Sequence, residues 1–175
     1  MLTASSDYNL LSAFAARRTN GALTLLVINK DSLSTFTAQI ALTNFTPNAA
    51  VTIYSYGMPQ DNAANTGLGS SDIARSNLFV PGTNFTYAFA PYSVTVFAFA
   101  PTPPTLTALP MVPGATQFVL RLQAQPGAPY VLQVSTNLTT WTPSTTNTPA
   151  APLVNLTNSV PAETPRQFWR AVWEP

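Results

Sequence analysis

The chain has 175 residues, is 46% hydrophobic and 7% charged, and carries a net charge of +1. An average soluble domain is about 25% charged, so the polar surface must be built mainly from Thr, Ser, Asn and Gln, without the basic field that nucleic-acid binding requires. Cysteine and histidine are absent, which excludes disulfides, Ser-His-Asp and Cys-His catalysis, and every zinc or copper site with these ligands.

Membrane and targeting signals are also missing from the sequence. No apolar run reaches the roughly 18 residues that a membrane-spanning helix needs. The first residues, MLTASSDYNLLSAF, lack a basic start and a long apolar stretch, so no signal peptide is predicted in them.

Apolar and polar residues alternate with a period of two over the first hundred residues, which predicts β-strands. In STFTAQIALTNF the apolar set is Phe36, Ala38, Ile40 and Leu42. Further strands are predicted in GALTLLVINK, AAVTIYSY and NFTYAFAPYSVTVFAF, the last forming two strands joined at Ala90–Pro91. LSAFAARR is read as either a short helix or an edge strand, and residues 57–76 are predicted to be a long loop because turn residues run throughout them.

A proline-rich stretch, APTPPTLTALPMVPG, divides the chain. We predict an extended linker over residues 101–114 between a first domain of residues 1–100 and a second of residues 115–175. In the second domain, QFVLRLQAQ, PYVLQVSTN, TTWTPS, LVNLTNSV and QFWRAVW are read as short strands or loops between turns. The predicted fold class is therefore all-β, with two β-sandwich domains joined by a Pro-rich linker.

The first domain resembles a known family of enzyme-associated domains. SAFAARRTNGALTLLVINKD, IALTNFTPNAAVTIYSYG and FTYAFAPYSVTVFAF, within residues 2–101, resemble the C-terminal β-sandwich of glycoside hydrolase family 44, the endoglucanases and xyloglucanases. The sandwich of the family 51 arabinofuranosidases is similar. In those enzymes the catalytic glutamates lie in a separate (β/α)8 barrel, so the resemblance implies a non-catalytic accessory region of a larger, secreted bacterial glycosidase.

The few acidic residues agree with the absence of a catalytic centre. Glycoside hydrolysis needs two carboxyl groups about 5–9.5 Å apart. The chain has six acids: Asp7, Asp31, Asp61, Asp72, Glu163 and Glu174. Asp31 is expected to bond its own turn. Asp61 and Asp72 share a loop with Asn62 and Asn65, where plain loop polarity is favoured over calcium because no EF-hand spacing is present. We therefore predict no enzyme, no catalytic residue, no metal and no cofactor.

The second domain resembles a small β-rich module at the C-termini of bacterial secreted proteins. The module's pattern is G-x-x-Y-x-L-Q-x-S-T-(N/D)-L-x-x-W, followed by a closing Arg-x-Phe-Tyr-Arg-Val strand. The matching positions are Gly127, Tyr130, Leu132, Gln133, Ser135, Thr136, Asn137, Leu138 and Trp141, then Arg166, Phe168, Trp169, Arg170 and Val172. This chain has Trp169 where Tyr is usual and adds Trp173. The resemblance implies surface attachment or ligand binding.

The tryptophans are the main candidates for binding a ligand. In an extended last strand Trp169 and Trp173 share one side, about 13 Å apart, with Ala171 between them, as in a flat platform for sugar rings. A core role is the alternative for both rings, and is favoured for Trp169, because a domain of about 60 residues needs large side chains inside. Trp141 is expected to be a structural plug. The candidate carbohydrate-binding residues are Trp169, Trp173, Arg170, Trp141 and Tyr130.

Two functions therefore compete. In the first, the chain binds β-glucan-type polysaccharide, such as cellulose or xyloglucan, by aromatic stacking, and its tryptophans are exposed. In the second, the first sandwich packs against an absent catalytic barrel through an apolar patch, and the second domain is a spacer or cell-surface module with buried tryptophans. An autonomous enzyme is a distant third.

Overall fold

The computed structural model describes residues 7, 9–80, 82–159 and 166–174. The chain divides into two compact units: the first consists of Met1–Arg18 and Ala22–Pro101, and the second of Thr19–Gly21 and Thr102–Pro175. Apart from one short helix, every regular element in the described residues is a β-strand. The predicted all-β class is thus confirmed, because the alternating pattern and the frequent turns leave few stretches that suit a helix.

The first unit contains a five-stranded and a two-stranded antiparallel sheet. The larger sheet has the order β1-β2-β7-β4-β5 and the smaller one pairs β3 with β6. The strands are β1 (Leu11–Arg17), β2 (Leu23–Asn29), β3 (Phe36–Ala41), β4 (Ala50–Tyr56), β5 (Ala74–Phe79), β6 (Asn84–Phe89) and β7 (Ser93–Phe99). LSAFAARR is therefore an edge strand rather than a helix, and β6 and β7 are joined at Ala90–Pro91 as predicted.

Aromatic side chains from both sheets form the core of the first unit. Phe97 of β7 is fully buried, and its ring centroid lies 5.9 Å from Phe85 and 5.9 Å from Phe99. Phe89 of β6 packs 6.1 Å from Phe97. Phe85 and Phe89 of β6 meet Phe97 edge-on, whereas Phe99 of β7 lies nearly parallel to it. Aromatic pairs at these distances contribute about 0.5–1.5 kcal/mol beyond their burial, so the edge-on pairs are a major source of cohesion between the two sheets.

Residues 57–76, predicted to be one long loop, contain a helix and the beginning of a strand. The helix α1 spans Met58–Thr66 and β5 begins at Ala74. At its start the Gly57 N–H donates to Oε1 of Gln60 at 2.9 Å, and at its end Gly67 takes a left-handed φ of 71°. Only Ala63 of this helix is buried, so the helix has no apolar stripe. The prediction failed because capping bonds, and not hydrophobic periodicity, define the element.

Asn29, at the end of β2, ties two turns of the first unit together. Its side chain is 1% exposed, and Nδ2 donates to the backbone oxygens of Ser34, Phe89 and Ala90 at 2.9, 3.1 and 2.9 Å. Its Oδ1 accepts from the Asp31 N–H at 3.0 Å. Every polar atom of the amide is therefore used, as a buried amide requires.

Asp31 completes the turn after β2, as the sequence predicted. Its Oδ1 accepts hydrogen bonds from the backbone N–H groups of Leu33 at 2.8 Å and Ser34 at 2.7 Å. These two bonds stabilise the carboxylate and lower the pKa of Asp31. The VINKD motif therefore builds the connection between β2 and β3.

The second unit contains two three-stranded antiparallel sheets, with the orders β12-β9-β8 and β11-β10-β13. The strands are β8 (Thr105–Ala108), β9 (Gln117–Gln123), β10 (Tyr130–Ser135), β11 (Thr142–Asn147), β12 (Leu153–Ser159) and β13 (Phe168–Trp173). Its most buried apolar side chains are Leu120, Leu122, Ala128, Tyr130 and Leu132. These side chains come from both sheets or from the turn before β10, so the core lies between the sheets.

The extended linker predicted over residues 101–114 is not confirmed. Thr105–Ala108 is strand β8, which pairs with β9 in the register Thr105↔Gln123 to Ala108↔Leu120. Proline disfavours interior strands but is tolerated at the ends of an edge strand. The segment TLTA between Pro104 and Pro110 contains no proline, so it can pair as the edge of its sheet.

Candidate functional site

The last strand, β13, separates its side chains into two groups on opposite sides of its sheet. Trp173 lies opposite Tyr130, and Trp169 lies opposite Val134. Leu132, between these two positions on β10, is 0% exposed. Cross-strand neighbours point to the same side of a sheet, so the tryptophans of β13 point to the inner side.

Both of these indole rings have contacts within the second unit. Trp169 is partly buried, and its ring meets Phe118 of β9 edge-on at a centroid distance of 5.7 Å. Trp173 is also partly buried, and its Nε1–H donates to the backbone oxygen of Asn20 at 2.8 Å. The rings lie on the inner side of the sheet and do not form an outward platform of the kind considered from the sequence.

Tyr130 lies in the core rather than on a binding surface. Its side chain is 0% exposed, and its hydroxyl accepts a hydrogen bond from the Gln125 N–H at 3.0 Å. A ring in this position cannot stack on a sugar at the surface, so the structure excludes direct ligand contact by Tyr130 without unfolding of the core.

Arg170 and Trp141, the two remaining candidates, meet on the outer side of the sheet β11-β10-β13. The guanidinium carbon of Arg170 lies 4.2 Å from the centroid of the Trp141 ring, which is cation–π geometry. Nε of Arg170 donates to Oε1 of Gln133 on β10 at 2.8 Å. We call this group of three side chains, Trp141, Arg170 and Gln133, the indole–guanidinium face.

The loop that positions Trp141 explains the S-T-N-L-x-x-W run. Oγ of Ser135 accepts from the Leu138 N–H at 2.9 Å, and Oδ1 of Asn137 accepts from the Thr140 N–H at 2.8 Å. Leu138 takes a left-handed φ of 63°, and its carbonyl accepts from Nε1 of Trp141 at 3.1 Å. These bonds hold the indole above the sheet, where it is partly buried. Trp141 was expected to be a core plug, but it covers the outer side instead.

The electrostatics of this face are simple. Arg170 is the single charged residue in the three strands Tyr130–Ser135, Thr142–Asn147 and Phe168–Trp173. Its side chain is exposed, and its partners are an amide and an aromatic ring. The face therefore presents one oriented positive charge in neutral, hydrogen-bonding surroundings.

A second candidate surface, which the sequence analysis did not locate, is the outer side of the five-stranded sheet. The registers place Phe14, Leu26, Val96 and Tyr54 in one row across β1, β2, β7 and β4. Phe14 is 53% exposed and Tyr54 is 38% exposed. Arg75 on β5 ends the row, with its guanidinium 5.9 Å from the Tyr54 ring centroid. We call this row the aromatic sheet face.

One sequence signal for this surface was available. LTLLVIN in β2 is apolar at nearly every position instead of alternating, and a strand that is apolar on both sides is typical of a sheet covered on both faces. Tyr54, Tyr56 and Tyr92 are all exposed. The Tyr56 hydroxyl donates to Asp61 at 2.8 Å, and this bond raises the pKa of Tyr56.

A groove of about 760 Å³ in the first unit is lined mainly by aliphatic side chains, among them Ala13, Leu25 and Ala38, and its one acidic lining residue is Asp7. In the residues that the structure describes, no three acidic side chains gather where a metal ion would bind. No helix among them is long and apolar enough to cross a membrane.

Comparisons with known proteins found similar solved structures for part of this chain. No protein-family model matches the chain, and no curated protein does. Among solved structures, CelM2, a bifunctional glucanase-xylanase from a metagenome library, is 34% identical over 53% of this chain and 16% of its own, with a TM-score of 0.43. A xyloglucanase of glycoside hydrolase family 44 from Paenibacillus polymyxa is 22% identical over 54% and 17%, with a TM-score of 0.45.

A third similar structure comes from another family of the same class. The thermostable family 51 α-L-arabinofuranosidase from Thermotoga petrophila is 22% identical over 51% of this chain and 19% of its own, with a TM-score of 0.38. About half of this chain is thus similar to a part of glycoside hydrolase structures, and the chain spans less than a fifth of the length of each.

Proposed function

We propose that the chain is a non-catalytic accessory region of a secreted bacterial glycoside hydrolase that degrades plant polysaccharide. In this proposal the first unit docks through its aromatic sheet face against the catalytic (β/α)8 domain of the same polypeptide. The observation that carries the proposal is the row of Phe14, Leu26, Val96 and Tyr54 on a regular sheet, in which Phe14 and Tyr54 are exposed.

The composition of this row suits a protein interface. Adjacent strands lie about 4.8 Å apart, so the row extends about 14 Å from β1 to β4. Aromatic residues and arginine are enriched where protein surfaces meet, and lysine and acidic residues are depleted. Phe14 and Tyr54 supply apolar area, Leu26 and Val96 lie between them and are partly buried, and Arg75 lies at one end.

The choice of a catalytic barrel as partner rests on the resemblance of VINKD and PYSVTV to the sandwich of family 44. The acids of this chain are few and scattered, so the chemistry of such an enzyme would have to come from another domain. The similar structures named above are glycoside hydrolases several times longer than the matched segment, which agrees with a supporting role for the first unit.

Docking is tested by producing the catalytic domain of the parent enzyme separately and titrating it with this chain in a calorimeter. We expect binding, and we expect Phe14→Ser and Tyr54→Ser each to weaken it by about 10-fold or more, because each removes a buried aromatic contact. Leu33→Ser is the matched control, since Leu33 is 89% exposed in a loop away from the row. If no binding is detected at about 100 μM, the binding free energy is weaker than about −5.5 kcal/mol, and the face does not dock.

A second candidate function, polysaccharide binding by the second unit, is favoured by the indole–guanidinium face. Sugar-binding surfaces combine an aromatic ring with amide and guanidinium donors, and here Arg170 contacts both the Trp141 ring and the Gln133 amide. The ligands implied by the resemblance are β-glucans such as cellulose and xyloglucan. Trp169 and Trp173, on the inner side, are not part of this face.

Affinity electrophoresis against xyloglucan and mixed-linkage β-glucan tests this second function. We expect retardation of the chain that Trp141→Ala abolishes, because the substitution removes the stacking surface and also releases Arg170. Leu153→Ala is the control, since Leu153 is an exposed apolar residue of β12 in the other sheet of the unit. Equal retardation of the wild type and Trp141→Ala would exclude the indole as the binding residue.

A further inference from the structure

We propose that the indole–guanidinium face selects polysaccharides that carry carboxylate groups, such as chains containing uronic acids, with the sugar carboxylate paired to Arg170. This inference rests on the second candidate function and specifies its ligand class. It differs from the neutral β-glucan expected from the sequence, because that expectation relied on two outward tryptophans.

The orientation of Arg170 is the first argument. Trp141 covers the guanidinium at 4.2 Å, and Gln133 accepts its Nε–H at 2.8 Å. The donors on Nη1 and Nη2 form the planar fork that matches the two oxygens of a carboxylate. Because the side chain is already held on two sides, less rotamer freedom is lost when a ligand binds.

The surrounding charge is the second argument. The strands around Arg170 contain no other charged residue, and the whole chain has seven lysines and arginines in 175 residues. In the structure Arg170 contacts an amide and a ring. A carboxylate brought by a ligand would supply the missing counter-charge, and the polar side chains of β11 would remain for sugar hydroxyls.

Arg121 shows that this arrangement is not a general property of arginines in the unit. Arg121 lies on β9 and is exposed, and its Nε donates to Oδ1 of Asn155 on β12 at 3.3 Å. Nε of each arginine thus donates a hydrogen bond to a side-chain amide on the neighbouring strand. The guanidinium of Arg170 stacks in addition on the indole ring of Trp141. Arg121 is therefore a matched control that has the same charge and the same kind of hydrogen bond.

The experiment compares two soluble celluloses, the neutral hydroxyethylcellulose and the anionic carboxymethylcellulose, which share one backbone. We expect the full chain to be retarded at least about 10-fold more strongly by carboxymethylcellulose at low salt, as a charge-assisted pair implies. Arg170→Gln should remove this difference, Arg170→Lys should restore part of it because the charge returns without the fork, and Arg121→Gln should retain it. Thermal melts of all variants verify that each is folded.

The outcomes separate this inference from the function on which it rests. Equal retardation by both celluloses, unchanged in Arg170→Gln but lost in Trp141→Ala, would overturn carboxylate selection and leave polysaccharide binding standing. If neither cellulose retards the chain, and polygalacturonate and glucuronoxylan do not retard it either, carboxylate selection and polysaccharide binding are both overturned. An equal loss in Arg121→Gln and Arg170→Gln would show that general charge attraction, and not the oriented guanidinium, retains the polyanion, and it would also overturn the inference.

Discussion

Replacing Asn29 by alanine is expected to lower the free energy of unfolding of the first unit by about 3–5 kcal/mol. The substitution leaves the carbonyl of Phe89 and the Asp31 N–H without their amide partner, and each polar group left unsatisfied inside the protein costs about 1–3 kcal/mol. The Ala90 carbonyl loses the amide but keeps its bond from Oγ of Ser93 at 2.6 Å. Urea unfolding followed by far-UV circular dichroism measures the change, and hydrogen exchange at the amides of β2 and β6 locates it.

Asn77→Ala provides the comparison for this first prediction. Asn77 is an exposed asparagine of the same unit whose Oδ1 lies 3.5 Å from the Thr52 hydroxyl, so its loss should change stability by less than about 0.5 kcal/mol. If Asn29→Ala is no more destabilised than Asn77→Ala, the turns after β2 and β6 do not depend on this amide, and the structural role assigned to the VINKD motif is wrong.

Trp169→Ala is expected to destabilise the second unit by about 2–4 kcal/mol, somewhat less than the cost for a fully buried aromatic ring. The ring lies on the inner side of β13 and packs edge-on against Phe118 of the facing sheet. The substitution therefore opens a cavity between the sheets instead of removing a surface contact. Differential scanning calorimetry of the chain measures the loss.

Two other variants make this second prediction specific. Val172→Ala changes the outer side of the same strand, where the side chain is 37% exposed, and should cost less than about 1 kcal/mol. Trp169→Phe keeps an aromatic ring against Phe118 and should recover part of the stability. A folded and fully stable Trp169→Ala protein that has lost glycan retardation would instead assign the ring to ligand binding.

Local sequence patterns were sufficient to predict most of the strands. The alternation in Phe36–Ala41 and in Gln117–Gln123 survives in the structure as alternating burial, because a strand half covered by a core needs apolar residues at every second position. The turn role of Asp31 was also predictable, since a short carboxylate bonds the N–H groups that follow it.

Elements without such periodicity were missed. The helix Met58–Thr66 buries only Ala63, so no apolar stripe marks it. The strand Thr105–Ala108 is short and flanked by prolines, so composition alone indicated a linker. The conformation of the helix depends on the hydrogen bonds that cap its ends. The conformation of β8 depends on its pairing with β9.

The sequence by itself determined that this is an all-β chain with aromatic residues in its last strand, few charges and no residues for His- or Cys-dependent chemistry. It established that Trp169 and Trp173 share one side of β13, since side chains alternate along a strand. Only the tertiary structure decided which side faces the core, because that depends on where the second sheet packs. The tryptophans face inward beside Leu132, and Arg170 with Trp141 faces outward.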